Sequence, residues 1–544
     1  MAQENVVRSA GLVSIAVFMS RISGLAREIL MARLFGAGFA YDAFLLGFRI
    51  PNLTRDLFAE GALSSAFVPT FTEYLSTRSR KDAAQLSNLV ATAIILFVGM
   101  ICLLGVIFAP QILSVLAAGW KETDPEKFEL AILLTRIMFP FLLLVALAAQ
   151  AMGILNACNQ FGVPAMSSTF FNIGSVLGGL ALGFWAGPWI GITAIEGMAY
   201  GVVLGGALQL AWQLPSLRRA GFSFRPAFDP KHPGLRHIVK LMGPAILGGA
   251  AVQINVMVNT YFASGILDPV RGTDGPVSWL GYAFRFMQLP LGLFGVAIAA
   301  ATLPAISRSA ASGDFDQFRR TLSRSLGLVF LLTIPSSVGL LLLGPAMIGA
   351  IYEGGRFEAY DTQQTALALS FFAIGLAGYA ALKVLTPAYY ALQDSRTPMA
   401  ISLFSILINY TVAAYLVDKQ WLGHAALALS TSCVALFGFL AQFWILRGRI
   451  GGMYGRDLRS SVLKISLAAA VMGAAVWASS GLVARQITPS RLQYLVDLAV
   501  SIPVGLAVFY AVCRMLRIVE LEIATDALAA PLLRRLGLQR GRIQ

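Results

Sequence analysis

The sequence predicts an all-α polytopic membrane protein of about fourteen transmembrane helices, built as two six-helix lobes with a parallel internal repeat plus two extra C-terminal helices. Three observations predict this fold. The 544 residues are 57% hydrophobic and only 12% charged, with a mean hydropathy of +0.73. Apolar runs long enough to cross ~30 Å of hydrocarbon recur from end to end. Landmarks of the first half also recur in the second half.

Windows of about 20 apolar residues locate the individual spans. The spans centre near 9–35, 41–70, 86–110, 129–155, 163–186, 190–214, 238–264, 277–306, 322–350, 364–391, 398–417, 422–446, 460–483 and 493–514. The short alternating segments of a transmembrane β-barrel do not appear in the sequence. The spans therefore favour helices throughout.

The formal charge of +14 follows a topological pattern. Arginine and lysine concentrate in the C-terminal tail and in the loops after spans two, six, eight and twelve, whereas the opposite loops hold fewer of them. The positive-inside rule then places both termini in the cytoplasm, which agrees with an even number of spans. The basic residues are divided among short loops without an aromatic-basic patch, so we expect no nucleic-acid partner.

The cysteines and histidines do not indicate a cofactor or a metal. Cys102, Cys158, Cys433 and Cys513 are scattered in or beside apolar spans, and their spacing matches neither a metal site nor a disulfide framework. The three histidines lie in loops or at span edges. We therefore predict neither a bound metal nor a cofactor.

Three pairs of landmarks define the repeat. They are Pro69 and Pro304, Pro164 and Pro398, and Trp212 and Trp444, at offsets of 235, 234 and 232 residues. Because the offset covers six helices, the halves share one orientation, as in parallel repeats related by an axis along the membrane normal. This predicts an N-terminal lobe over 1–215, a basic cytoplasmic linker over 216–237, a C-terminal lobe over 238–450, and two extra helices with a basic tail over 451–544.

Glycine and proline patterns suggest local features within the spans. Glycines at four-residue spacing, which let helix backbones approach closely in lipid, occur at Gly174 and Gly178, Gly179 and Gly183, and Gly197, Gly201 and Gly205. Pro51, Pro290 and Pro304 lie in or near spans two and eight, where proline can kink a helix.

The first two spans carry an unusual number of ionic side chains. Arg21, Arg27 and Glu28 interrupt the first apolar run, and Arg21 and Glu28 share one helix face. An ionised side chain in the bilayer interior costs about 2.5–3.5 kcal/mol on insertion scales, so it usually faces a wet cavity or a partner. These residues indicate a cationic cavity and hence a transporter for an anionic substrate.

Four arginines are the strongest candidates for contacts with that substrate: Arg21, Arg27, Arg55 and Arg285. Guanidinium suits phosphate or pyrophosphate because its fork binds two oxygens and keeps its charge when desolvated. Five further residues are candidate supporting charges of the cavity: Glu28, Asp42, Arg49, Glu60 and Lys383.

Other interpretations compete for several supporting charges. Glu28 and Glu60 would serve equally well to neutralise neighbouring arginines. Asp42 lies near a span end, where an interfacial position is an alternative to a functional one. Lys383 is suited either to bind an anion or to respond to protonation.

The segment MSRISGLAREILMARLFGAGFAYDAFLLGFRIPNLTRDLFAEGALSSAFVPTF closely resembles the MurJ (MviN) family of lipid II flippases, as do LMGPAILGGAAVQIN, GYAFRFMQLPLGLFGVAIAAATLP and LTPAYYALQDSRTP. The resemblance covers essentially the whole chain. It implies membership of the multidrug/oligosaccharidyl-lipid/polysaccharide exporter superfamily, with the two lobes in a V, and localisation in the bacterial inner membrane. It also implies that Arg21, Arg27, Arg55 and Arg285 line the central cavity.

The resemblance implies further details of the site. The acidic positions of the family match Glu28, Asp42 and Glu60, and the neighbours of Arg285 that are acidic in some relatives are Phe284 and Gln288 here. Span seven has amides but no carboxylate where some members bind sodium, which argues against sodium coupling there. The two extra helices resemble those that form a groove for the undecaprenyl tail.

The function implied is movement of lipid II from the cytoplasmic to the periplasmic leaflet by alternating access, without enzymatic activity. The expected partners are lipid II and membrane lipids, and the chain is expected to act as a monomer. Three alternatives stay open: a flippase for another polyprenyl-linked glycan of the O-antigen type, a membrane-embedded transferase acting on such lipids, and a MATE-like exporter.

Overall fold

A computed structural model describes residues 2–56, 63–419, 421–453, 455–488 and 490–525. Helices dominate these ranges, in which β structure is limited to two isolated bridges, Asp268–Gly272 and Gly354–Phe357. The α-helices are α1 Ala2–Phe35, α2 Phe39–Thr54, α3 Ser64–Thr77, α4 Arg80–Ile107, α5 Ala109–Leu116, α6 Ala118–Thr123, α7 Pro125–Met138, α8 Phe141–Ala157, α9 Gly162–Leu180, α10 Gly187–Ile190, α11 Ala194–Arg219, α12 Pro233–Ser264, α13 Pro276–Pro290, α14 Ala297–Ala311, α15 Phe315–Tyr352, α16 Ala359–Ala391, α17 Arg396–Asp418, α18 Ala425–Arg449, α19 Gly455–Gln486 and α20 Arg491–Met515.

The prediction of an all-α polytopic protein is confirmed. Within the described ranges, eleven helical segments are long and apolar enough to cross a membrane. The other predicted spans are one, two and seven, which correspond to α1, to α2 with α3, and to α12. The described parts of these three spans are helical too, and they are not among the eleven segments. A total of fourteen spans therefore stays a prediction.

The chain divides into two compact units, one formed by residues 1–278 with 354–357 and the other by the remaining residues. In the first unit, α11 packs against α9 and α8, and α12 packs against α3. In the second, α15, α16, α18, α19 and α20 surround an apolar core that includes Phe318, Leu326 and Tyr389. The sequence assigns α12 to the C-terminal lobe, so the lobe boundaries at 215, 238 and 450 stay a prediction.

The glycines at four-residue spacing form the contact between α9 and α11, as the sequence predicts. A Cβ atom added at Gly201 would lie 2.7 Å from the Cα of Gly179, and one added at Gly205 would lie 3.0 Å from the backbone nitrogen of Ser175. At these two positions the nearest atoms are backbone atoms, which cannot move aside as a flexible side chain can. Close backbone approach of this kind is what small residues permit in lipid.

A Gly201→Ala variant is expected to lower the melting temperature of the detergent-solubilised protein, because overpacking a well-packed contact typically costs about 1–3 kcal/mol. Gly99→Ala in α4 is the matched control, since nothing lies within 4 Å of a Cβ at Gly99. Equal melting temperatures for the two variants would contradict the tight α9–α11 seam.

The repeat is visible in the local geometry of two equivalent turns. Asn159 after α8 and Gln393 after α16 both adopt left-handed backbone conformations, with φ of 58° and 59°. The following residues, Gln160 and Asp394, each donate the backbone N–H to a carbonyl five positions earlier, at 2.9 Å in both turns. These are helix C-terminal caps at the same offset of 234 residues as Pro164 and Pro398.

The helix irregularities expected near prolines in spans two and eight are π-helical turns. Arg55, Asp56 and Leu63 are π-helical on either side of residues 57–62, which lie outside the described ranges. In span eight the π-helical segment is Leu291–Val296, directly after Pro290. Single π-helical turns inside α-helices occur frequently at functional sites.

The linker predicted over 216–237 contains the end of α11, a non-helical stretch over 220–232, and the start of α12. Its non-helical part is bound along α4. Asn88 Oδ1 accepts the backbone N–H of Arg225, and Thr92 Oγ1 accepts that of Ala227, each at 3.1 Å. Two polar side chains one helical turn apart therefore hold an extended segment against this helix.

Candidate functional site

The first candidate arginines lie on α1, which packs against α9 through a polar contact. Asn172 of α9 donates to the Ser20 carbonyl at 3.3 Å and to the Ser23 hydroxyl at 3.0 Å. A bonded asparagine of this kind is a common means of joining helices in an apolar environment. This contact fixes the rotation of α1 about its own axis, and thereby the direction of the face that carries the ionic residues.

Arg27 is half-buried, and its guanidinium carbon lies 5.2 Å from the centroid of the Phe171 ring of α9. This cation–π contact holds the guanidinium in place without neutralising its charge. Glu28 is buried with 7% of its surface exposed, whereas Arg21, two helical turns earlier, is exposed. The three residues thus differ sharply in their surroundings, which spacing alone does not predict.

Span two places Arg55 beside Asp56. Asp56 Oδ1 accepts hydrogen bonds from Arg55 Nη2 at 2.8 Å and from Arg55 Nε at 3.2 Å. The two side chains are 24% and 35% exposed, so the charge of Arg55 is partly balanced locally. Arg49 is half-buried on α2, and Glu60 lies outside the described residues.

The second unit carries the other two candidates on different helices. Arg285 of α13 and Lys383 of α16 both have exposed side chains. The aromatic neighbours of Arg285 point into packed surroundings: Phe284 packs edge-on against Phe372, and Phe286 packs edge-on against Tyr352. The Arg285 side chain is therefore exposed between two aromatic residues that pack against other helices.

Asp42 belongs to a buried network that joins α2, α7 and the start of α13. Its carboxylate accepts the backbone N–H groups of Gly275 and Ser278, at 2.7 and 2.8 Å, and the hydroxyl of Ser278. Lys127 donates to the same carboxylate at 2.9 Å. Asp42 therefore acts as an N-terminal cap for α13, although it belongs to a different helix.

Lys127 is the centre of this network, and the sequence predictions do not include it. Its ammonium bonds Asp42, Asp274 and the Thr273 carbonyl, at 2.9, 2.8 and 2.9 Å, and its side chain is fully buried. It also lies 4.7 Å from the centroid of the buried Trp120 ring. A signal for it exists, because a lysine in the first turn of α7 opposes the helix dipole and requires an acidic partner.

A second buried carboxylate, Asp497 of α20, is also missing from the sequence predictions. It is 8% exposed and accepts hydrogen bonds from the hydroxyls of Ser480 and Ser501, both at 2.7 Å. Ser479 and Ser501 bond each other at 2.8 Å. A single acidic residue inside an apolar span is itself the signal that could have identified it.

Asp394, in the LTPAYYALQDSRTP segment, has a structural role outside the membrane-spanning segments. Hydrogen bonds from Thr397 hold the pKa of this carboxyl below its usual range, and the Arg449 guanidinium contributes further. Asp394 Oδ1 accepts the backbone N–H groups of Arg396 and Thr397, and Oδ2 forms an ion pair with Arg449. The segment therefore encodes a capped turn at the start of α17.

Within the part of the chain that the structure describes, no group of three His, Cys, Asp or Glu side chains is placed to hold a metal ion. The ionic residues of the candidate site are instead arginines and a few carboxylates distributed over membrane helices. A guanidinium on a membrane helix can bind an anion, and each unit carries at least one of the candidate arginines.

The helical fold is one that a solved membrane transporter shares. The chain is similar to an inward-facing multidrug resistance MATE family transporter of the MOP superfamily, with a TM-score of 0.67 and 14% identity over 81% of this chain and 98% of the other. At this identity the likeness concerns the fold alone. It supports the transporter architecture that the sequence predicts.

The family can be stated more closely. Residues 31–496 match the family described as lipid II flippase MurJ, and the chain belongs to that family. It is 33% identical over 543 residues to a Vibrio cholerae serotype O1 protein described as a probable lipid II flippase MurJ, covering 96% of this chain and 99% of the relative.

Two further comparisons agree. A Burkholderia cenocepacia lipid II flippase MurJ is 33% identical over 454 residues, covering 83% of this chain and 85% of the relative. A solved structure described as lipid II flippase MurJ in an inward closed conformation is similar with a TM-score of 0.75 and 28% identity, covering 93% of this chain and 99% of the other. The resemblance found in the sequence is thereby confirmed.

Proposed function

We propose that this chain moves lipid II from the cytoplasmic to the periplasmic leaflet of the bacterial inner membrane by alternating access. The observation that carries the proposal is the match of residues 31–496 to the MurJ family, together with arginines placed on membrane helices. A lipid-linked pyrophosphate requires both cationic forks for its phosphates and apolar helices beside its tail, and the chain offers both.

The headgroup is assigned to Arg21, Arg27, Arg55 and Arg285, as the resemblance implies. The cation–π contact between Arg27 and Phe171 supports this assignment, because the ring helps to hold the guanidinium without adding an opposite charge. Arg55 and Asp56 form an exchangeable pair, in which a phosphate can replace the carboxylate as the acceptor. Supporting roles are assigned to Glu28, Asp42, Arg49, Glu60 and Lys383.

The undecaprenyl tail is assigned to the face of α19 and α20, the two helices beyond the repeat. Both present large apolar side chains outward, among them Leu463, Leu467 and Leu506, which are 61%, 55% and 64% exposed. The serines that bond Asp497 keep its carboxylate satisfied between these helices. A tail lying on this pair would remain in lipid while the headgroup crosses.

The experiment that tests the function is depletion of the protein in its host, followed by identification of the lipid-linked precursor that accumulates and of its leaflet. Accumulation of lipid II in the cytoplasmic leaflet supports the proposal. Accumulation of another polyprenyl-linked glycan, with lipid II unaffected, would support the O-antigen-type alternative instead. Unchanged lipid precursors would contradict both.

The orientation carries a separate prediction. We expect a reporter that is active only in the periplasm to stay inactive when it is fused after Gln544, because the basic loops place both termini in the cytoplasm. The same reporter inserted after Lys121, in the connection between spans three and four, which is poor in basic residues, serves as the positive control. Activity of the reporter at Gln544 would contradict the predicted orientation and, with it, the proposed direction of transport.

A further inference from the structure

An open apolar groove lies between α4 and the bound linker in the first compact unit. It consists of two adjoining cavities of about 430 and 390 Å³, which share Pro230 and Leu235 in their walls. One wall is a stripe of α4 that runs from Leu89 to Met100. The other is formed by linker residues that include Phe228.

The groove presents its apolar side chains outward. Leu96, Phe97 and Met100 are 55%, 60% and 54% exposed, and Phe228 is 77% exposed. Because α4 is long and apolar enough to span the membrane, we expect its three exposed side chains to face hydrocarbon, with Phe228 at the cytoplasmic end of the groove. At 1.5 Å per residue the stripe from Leu89 to Met100 is roughly 16 Å long, which is about the depth of one leaflet.

The linker wall is fixed in place. The hydrogen bonds from the backbone of Arg225 and Ala227 to the side chains of Asn88 and Thr92 hold the linker against α4 directly before Phe228. The groove is therefore a formed feature of the fold, with a floor on α4 and a side wall on the linker. Its shape suits one flexible chain lying along α4.

One end of the groove is basic. Arg236 and Lys240 are exposed, lie one turn apart on α12, and line the second cavity. Arg236 Nε donates to the Pro230 carbonyl at 3.3 Å, which directs the side chain across the rim of the groove. The acidic residue at the rim, Asp229, accepts the backbone N–H of Lys231 at 3.0 Å.

The surrounding sequence strengthens this polarity. Residues 218–240 contain six arginines and lysines against one aspartate. Basic clusters next to membrane helices attract anionic lipids, and each lysine or arginine near the surface contributes about fivefold in affinity. The groove thus joins an apolar channel of one-leaflet length to a cationic rim on the side that the positive-inside rule assigns to the cytoplasm.

We propose that this groove binds an anionic glycerophospholipid of the cytoplasmic leaflet, with one acyl chain along α4 and the phosphate against Arg236 and Lys240. The lipid would complete the wall between α4 and the linker and hold the linker at the membrane surface. This site uses none of the candidate arginines of α1 and neither of the helices assigned to the undecaprenyl tail.

The test uses the purified full-length chain and native mass spectrometry, with dioleoyl phosphatidylglycerol and dioleoyl phosphatidylcholine as probes. The expected result is tighter binding of phosphatidylglycerol at the strongest site. An Arg236→Gln/Lys240→Gln variant should weaken that binding more than tenfold. An Arg308→Gln/Arg324→Gln variant changes the net charge equally at exposed positions of the other unit, and its binding should stay unchanged.

A second variant tests the apolar half of the site. Ala93 lines the groove, and Ala93→Trp fills it, so a folded Ala93→Trp protein should lose binding of both lipids at this site. Equal losses in the two double variants would overturn the proposal, as would equal affinity of the unaltered protein for the two lipids. A folded Ala93→Trp protein that binds phosphatidylglycerol normally would also overturn it.

Discussion

An Arg27→Ala chain is expected to fail to complement a strain depleted of its own flippase, and an Arg285→Ala chain likewise. If each guanidinium binds a pyrophosphate through two hydrogen bonds, lysine keeps the charge but loses the fork. One lost charge-assisted hydrogen bond costs about 1.5–3 kcal/mol, or roughly tenfold to over a hundredfold in affinity. Lysine variants should therefore grow poorly, between the alanine variants and the unaltered chain. Growth curves at native expression levels provide the measurement.

Arg136→Ala is the matched control for these variants. Arg136 is also an arginine in a membrane helix, but it is exposed, and its Nε bonds the Val106 carbonyl at 3.2 Å. It should tolerate alanine with normal growth and normal protein levels. If Arg27→Ala and Arg285→Ala both support normal growth, these two arginines do not carry the headgroup, although the family membership would stand.

Lys127→Met is expected to destabilise the protein far more than the loss of a charge at an exposed position. Lys127 is fully buried against two carboxylates, and removing one partner from a buried ion pair costs about 3–5 kcal/mol because the remaining charge is left uncompensated. The melting temperature in detergent should fall markedly. Asp42→Asn combined with Lys127→Met should recover part of the loss, since the buried carboxylate is then neutral as well.

Arg319→Gln provides the comparison for Lys127→Met. Arg319 pairs with Asp316 at 3.2 Å, but the two side chains are 28% and 70% exposed, and exposed pairs contribute about 0–1 kcal/mol. Similar melting temperatures for Lys127→Met and Arg319→Gln would show that the buried network adds no more stability than a surface pair.

The span pattern was predictable because the bilayer imposes a length and a composition on each helix. The repeat was predictable too, and the equivalent turns at Asn159 and Gln393 give it a structural basis. The packing of α12 within the first unit was not predictable, because the composition of an apolar helix does not specify which helices it packs against.

The candidate site was predictable in its residue types more than in its contacts. Arginines inside apolar runs stand out in a sequence, whereas their partners do not. The stacking of Arg27 on Phe171 and the bonding of Asp42 to Lys127 join residues that are 144 and 85 positions apart, and spacing within one helix says nothing about such pairs. The basic composition of the linker likewise does not indicate that its backbone is bound to α4.

The π-helical turns of spans two and eight have a consequence for helical phase. A π-helical turn holds about one residue more than an α-helical turn, so side chains on its two sides are out of register by about 100° relative to an unbroken α-helix. Arg285 lies just before Leu291–Val296. Removing one residue from that segment would restore α-helical register and rotate Arg285 against the rest of the span without changing its identity. The direction of an arginine can thus be separated experimentally from its charge.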